Sequence, residues 1–310
     1  MPNLKDIKSR IQSIESTKKI TRAMKMIAAT KVKKAETSVK LSRPYTAELA
    51  VMFRKLLNSV TEFSTESLKI RSSIDDYPKL LEVRPVKSVG ILVISSNKGL
   101  AGAYNANIVR EVIRRIKEYK SGGIEVKLFI IGQKGISALR KKCKELKVPI
   151  IKKYFSAINN PTALEAREIA EDLSEYYVTE KIDKIEIVTT RFKNMMSYFV
   201  EKWQVLPVDG VVDCHTRLND NVAEPLMEFI PDEHHIMQKI VPMYMTNIFY
   251  QALLEAQASE LASRMTAMSA ATNNAEKMIH TLSIEYNKTR QTAITNEIIE
   301  VVAGANFQSN

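Results

Sequence analysis

Cysteine, histidine and glycine are scarce in this chain of 310 residues, and each scarcity excludes something. The two cysteines, Cys143 and Cys214, stand far apart in the sequence. They are too few for a disulfide framework or a zinc site, which points to a reducing compartment. The four histidines are His215, His234, His235 and His280, and the adjacent pair cannot share a helix face. The metalloprotease, dithiol, nucleophile-elbow, dinucleotide and Walker spacings are all missing. No cofactor, metal or catalytic site is therefore expected within the chain. No apolar run approaches the roughly eighteen residues that a membrane span requires. The first residues, Met-Pro-Asn-Leu-Lys-Asp, include no apolar region that would suggest secretion. What remains, at 45% hydrophobic and 26% charged, is the composition of a folded protein with room for two domains.

Helix breakers are absent from two long stretches: residues 3–43, before Pro44, and residues 243–303, between Pro242 and Gly304. If helical throughout, the second would reach roughly 90 Å at 1.5 Å per residue. That exceeds a compact domain and argues for a coiled coil. Its seam alternates steps of four and three through Leu254, Ala258, Leu261, Met265, Met268, Thr272, Ala275, Ile279, Leu282, Tyr286, Thr289 and Ala293. The first stretch shows a stripe of Leu4, Ile7, Ile11, Ile14, Ile20, Met24, Ile27, Val32, Ala35 and Val39. Its step from Ile14 to Ile20 breaks the repeat and predicts a stutter. Pro44 is expected to end or kink this helix, with residues 45–60 helical again.

Between the arms the pattern changes. Short aliphatic runs at 89–94, 127–131 and 185–190 read as strands, with an edge strand at 203–208. Helical patterns at 107–119, 135–146 and 163–178 alternate with them, as in a doubly wound α/β domain. Two arms rooted in one domain can reach each other. The expected fold is thus α/β: a long antiparallel coiled coil of the N- and C-terminal helices plus a doubly wound, mainly parallel α/β domain. The boundaries expected are an N-terminal helix at 1–60, a connection at 61–85, the α/β domain at 86–212, a connection at 213–233 and a C-terminal helix at 234–310.

The net charge of +11 is unevenly spread: residues 1–43 carry twelve Lys and Arg against Asp6, Glu15 and Glu36, a net +9. Such a face suits nucleic acid, anionic lipid or an acidic protein surface. A basic coiled-coil nucleic-acid binder is therefore one alternative. A small-molecule enzyme is another, since the loop at 95–105 contains glycines and runs from a strand into a helix. Its spacing matches no phosphate-binding pattern, which favours a structural or partner-facing role.

Four segments carry a family resemblance. They are Lys18-Lys19-Ile20-Thr21-Arg22-Ala23-Met24-Lys25-Met26-Ile27-Ala28-Ala29-Thr30-Lys31, the loop at 95–105, residues 258–268, and Tyr286-Asn287-Lys288-Thr289-Arg290-Gln291 with Ile294-Thr295-Asn296-Glu297-Ile298-Ile299-Glu300 and Gly304-Ala305. Together they resemble the γ subunit of F-type ATP synthases, the central-stalk rotor. The resemblance implies a non-catalytic subunit, one copy per complex. Its asymmetric coiled coil would turn inside three α and three β subunits and couple ion flow to ATP synthesis at β. The partners implied are α, β, ε and the c-subunit ring, with no nucleic acid and with membrane contact only through the complex. The implied location is the cytoplasmic face of a bacterial plasma membrane, or else a thylakoid or organelle inner membrane. Residues implied to meet or support the ring are Arg22, Met24, Lys25, Lys31, Lys33, Lys34, Glu260, Arg264, Arg290, Gln291, Thr295 and Glu297. Asn97, Ser269 and Asn306-Phe307 depart from the family pattern, and the paired-cysteine insert of the plastid form is missing, so thiol control is not expected.

Overall fold

The computed structural model describes residues 4–62, 80, 83–207 and 233–308. Nearly all of both expected connections, with Cys214 and His215, lies outside the described residues. The elements, in order, are α1 (Leu4–Glu62), β1 (Ser88–Ile94), α2 (Tyr104–Ser121), β2 (Glu125–Ile131), α3 (Gln133–Glu145), β3 (Ile150–Tyr154), α4 (Ala163–Val178), β4 (Lys184–Asn194), β5 (Ser197–Leu206) and α5 (Glu233–Gln308). The chain divides into two units, one of residues 1–30 with 264–310 and the other of residues 31–263.

In the larger unit five strands form one sheet in the order β3-β2-β1-β4-β5. β1 pairs in parallel with β2 and β4, β2 pairs in parallel with β3, and β5 closes the edge antiparallel to β4. The reversal of strand order at β1 makes the sheet doubly wound. All seven residues of β1 are buried, because both of its faces are covered. Val89, Ile91 and Val93 pack with Ile108, Val112 and Ile116 of α2 and Leu139 of α3. Leu92 and Ile94 face the other way, into a core shared with α4, with Leu49 and Phe53 of α1, and with Tyr244, Ile248 and Phe249 of α5. The inner stretches of the two long helices therefore complete the domain. α4 starts where the sequence places it because Thr162 Oγ1 accepts the N–H of Glu165.

Two sequence expectations are corrected, and one strand is added. α1 runs through Pro44, while α5 spans Glu233–Gln308, close to the expected 234–310, and so continues through Pro242 and Gly304. Proline removes one backbone hydrogen bond, but packing on either side outweighs that loss. After Pro44, Phe53 stacks on Tyr244 with ring centroids 4.6 Å apart, and Thr46 Oγ1 accepts a 2.9 Å bond from Asn247 Nδ2. Around Pro242, Val241, Tyr244 and Met245 are buried. The stutter is also absent. Ile20 and Ile27 are exposed, and the covered stripe continues at unbroken spacing through Lys18, Thr21, Lys25 and Ala28 to Val32. β3 is the added strand: Ile-Ile-Lys-Lys-Tyr is too short to stand out by pattern, and its two lysines suit an exposed sheet edge.

One buried clamp ties α1, α5 and the sheet together. Arg43 donates to both oxygens of Glu255, at 2.7 and 2.9 Å, and to the carbonyl of Phe192 at 2.6 Å. Glu255 also accepts from the Phe192 N–H at 2.8 Å and from Gln251 Nε2 at 3.0 Å. Glu255→Ala would strand the guanidinium and two further donors. Because the Arg43 side chain keeps 36% exposure, the expected cost is at the lower end of the range for a broken buried pair, about 3 kcal/mol. Urea unfolding of the full chain measures it; a cost below about 1 kcal/mol would show that the clamp is dispensable.

Candidate functional site

The smaller unit pairs the two chain ends. Thr272 Oγ1 donates to Thr21 Oγ1 at 2.9 Å, and Lys18 Nζ lies 3.0 Å from Glu276. Moving back along α1 moves forward along α5, so the helices are antiparallel. The seam read from the sequence is the covered side of α5: Met268, Thr272 and Ala275 are buried, and Ile279, Leu282, Tyr286, Thr289 and Ala293 are partly buried. From Ile294 to Val302 every residue is exposed, including Ile294, Ile298, Ile299, Val301 and Val302. The register explains this. Leu4, the first residue of α1, comes level with roughly residue 290 if the antiparallel step of one residue for one continues along both helices. Beyond that point α5 has no neighbour among the described residues, and a run of exposed apolar side chains marks a surface for another protein.

The residues implied by resemblance are distributed over both units. In the smaller unit Arg22, Arg290, Gln291, Thr295 and Glu297 are exposed, whereas Met24, Lys25 and Arg264 are partly covered. Thr295 Oγ1 donates back to the Gln291 carbonyl, so its hydroxyl is occupied by its own helix. In the larger unit Lys31, Lys33 and Lys34 are exposed, while Val32, Ala35 and Val39 bury against Leu254, Ala258 and Ala262. Glu260 differs from the others: it is 8% exposed and close enough to Tyr104 to oppose ionisation of that phenol. The side chains of Asn306 and Phe307 lie outside the described residues.

The loop at 95–105 spends its polar groups on itself and its neighbours. Ser95 Oγ donates to the Ile131 carbonyl and accepts from the Gly135 N–H. Asn97 bridges the Phe155 carbonyl and the Gln133 N–H. Ser96 exchanges bonds with Asn105. Gly132, at φ 97°, is required here, since a Cβ would come within 2.1 Å of the Ser95 carbonyl. α5 lies over the loop through Ser263 Oγ to the Ala101 carbonyl at 2.7 Å and Tyr104 Oη to the Ala256 carbonyl at 3.2 Å. The loop is therefore a seat for α5. Among the described residues no cluster of His, Cys, Asp and Glu could hold a metal ion, and no helix is long and apolar enough to cross a membrane.

With the paired ends, the bare α5 terminus and the helix-seating loop in place, comparison with known proteins is decisive. The family model described as ATP synthase matches residues 3–306. The chain belongs to the ATP synthase γ-chain family. It is 37% identical to the ATP synthase gamma chain of Synechococcus sp. strain JA-3-3Ab, covering 98% of this chain and 99% of the relative. Identity to the gamma chain of Gloeothece citriformis is 39%, covering 99% of each. Among solved structures it is similar to a chain of the central stalk and c-ring of Tetrahymena thermophila mitochondrial ATP synthase, with TM-score 0.55 and 28% identity over 81% of this chain and 99% of that one. A Euglena gracilis mitochondrial ATP synthase chain shares the fold at TM-score 0.62 and 15% identity, over 98% of this chain and 93% of that one.

The sequence pattern gives Arg43 only as one of twelve N-terminal basic residues and singles out neither Glu255 nor Arg84. The available signal for Glu255 is its place between Ala252-Leu253-Leu254 and Ala256, all of which are buried. Two further ion networks brace the sheet. Burial opposes ionisation of Glu186, but hydrogen bonds from Tyr119, Arg115 and Lys184 outweigh it and hold its pKa below the ordinary 4.5. Burial likewise opposes ionisation of Asp183, and the Ser88 and Lys87 N–H groups with Arg84 overcome it, lowering its pKa below 3.8. As pH falls the unfolded chain takes up these protons first. Their stabilisation is thus complete above the ordinary values and is lost as pH drops through the lower folded ones. Urea midpoints are expected to fall on acidification below about pH 4, with a shallower slope in Glu186→Gln. An unchanged slope in that variant would remove Glu186 from the account.

Proposed function

We propose that this chain is the rotor of the central stalk of a rotary ATP synthase. The observation that carries this reading is the antiparallel pair of terminal helices, in a chain whose relatives align with it from end to end. Three α and three β subunits surround the pair, ε and the c-subunit ring hold the larger unit, and one copy serves each complex. The complex is membrane-associated, and the cyanobacterial relatives favour the cytoplasmic face of a bacterial plasma membrane or a thylakoid membrane. Nucleotide chemistry belongs to the β subunits, in keeping with a loop at 95–105 that seats a helix. The comparisons lend nothing to the nucleic-acid reading of the basic α1 face.

The physical mechanism is differential contact. A shaft alters a neighbour's equilibrium only by interacting unequally with its states. α1 and α5 are unlike in sequence, so each angle of the pair offers a β subunit a different surface. On the α1 side that surface includes Arg22, Lys25, Lys31, Lys33 and Lys34, suited to acidic partners; Arg290, Gln291 and Glu297 supply polar groups near the bare end of α5. Glu260 and Arg264 support the helix rather than project freely.

Mild co-purification tests the assembly: the chain is expected with an α/β ring, and its recovery as a stable monomer would contradict the reading. Arg290→Ala is expected to leave assembly intact and to lower coupled ATP turnover by up to about tenfold, the worth of one charge-assisted hydrogen bond made in one state only. Equal turnover in a normally assembled complex would remove Arg290 from the coupling surface.

A further inference from the structure

The face of α5 that lies on the sheet and the loop is more polar than a core helix requires. Gln251, Glu255, Ser259 and Glu260 are all buried, and β4 meets this helix with buried Thr189 and Thr190. Most of the polar atoms here have partners. Thr189 Oγ1 donates to the Ala252 carbonyl at 3.3 Å, and Tyr104 Oη and Ser263 Oγ donate to the Ala256 and Ala101 carbonyls. Among the described residues, four buried side-chain atoms have none: Arg115 Nε, Gln251 Oε1, Thr190 Oγ1 and Ser259 Oγ. The first two belong to groups already bonded to Glu186 and Glu255. That leaves the two hydroxyls, and both converge on Tyr104. Thr189 faces α5, so Thr190 faces the other side of the sheet, where Tyr104 and Val188 pack together. Thr190 also lies past the last β1–β4 pair, Val93 with Val188, where β1 has given way to the loop. Burial raises the pKa of the Tyr104 phenol, while nearby Thr190 opposes that rise and Glu260 adds to it. On α5, Ala256, Ser259 and Ser263 follow at three- and four-residue steps and so share one face. Ala256 and Ser263 meet Tyr104 and Ala101, so Ser259 between them faces residues 101–104.

We propose that an internal water is held where β4, the start of α2 and α5 meet, bonded to Thr190 Oγ1, Ser259 Oγ and Tyr104 Oη. A buried water takes about three hydrogen bonds from polar groups that packing leaves over. Each of the two hydroxyls can donate or accept, and Tyr104 Oη, which donates to Ala256, keeps its lone pairs for a third bond. The neighbouring Ala101 and Ala256 present only methyl groups there. Packing alone would not call for either hydroxyl. Ala forms helix better than Ser, and Val keeps the shape of Thr with no hydroxyl to satisfy. One water thus joins three elements that are far apart in the sequence, and the seat of α5 is wet rather than dry.

The direct test is a density map of the full chain, alone or in its assembly, at a resolution that shows ordered waters. One peak about 2.8 Å from both hydroxyls is expected. Hydroxyls bonded directly to protein groups with no peak between them would overturn the proposal. So would a peak with about six oxygens at roughly 2.4 Å, which is the coordination of a metal ion. Urea unfolding of the full chain gives a second reading through Thr190→Val, Ser259→Ala and the double variant. Either single change takes a partner from the shared water and is expected to lower the folding constant about fivefold. The second change then adds little, so the double variant is expected within about threefold of the weaker single one. Losses that simply multiply would show two independent hydroxyls, and a gain in stability in either single variant would show a hydroxyl left unsatisfied. Each of those results overturns the proposal with or without a map.

Discussion

The stripe from Met268 to Ala293 on α5 is covered only because the amino-terminal part of α1 lies along it, and the reverse holds for Leu4 to Ala28. Isolated, either helix would expose a row of half-apolar positions with little propensity-driven stability to spare. The partnership is mixed in chemistry: aliphatic contacts supply attraction and Thr21 with Thr272 fixes the alignment, while the exposed Lys18–Glu276 pair adds little. Polar pairs in a helix seam cost stability and specify register, which suits an element whose two strands must not slide past one another.

The larger unit uses these two helices differently. There the same two helices form part of a core under the doubly wound sheet, with Arg43 and Glu255 joining both to β4. The loop after β1, which in many α/β proteins faces a ligand, here faces Ala256 and Ser263 of α5. The fold shares the doubly wound topology, and its switch-point loop serves as a seat for a helix.

Much of this was legible because long helices and buried strands repeat strongly. The α5 seam and the bounds of α4 were readable from spacing, and the central strands from aliphatic runs. The α1 stripe was read less well, since apolar Ile20 and Ile27 drew attention away from Lys18 and Thr21, which are covered through partners that sequence spacing does not reveal. Proline was over-read for a related reason. Its local cost is about 3 kcal/mol, and the packing of Phe53 on Tyr244 that offsets it joins residues far apart in the chain. Arg43 and Glu255 were invisible as a pair for the same cause. Among the implied contact residues, burial of Glu260 could not be inferred from a helix whose surroundings were unknown.

The most direct test of the central claim is a distance measurement between probes at positions 24 and 268 in the intact assembly. The account predicts a single short distance, set by helix axes about 8–10 Å apart plus the reach of the probes, at every angle of rotation. A broad or long distribution, showing the two chain ends separated while the complex still turns over, would contradict it.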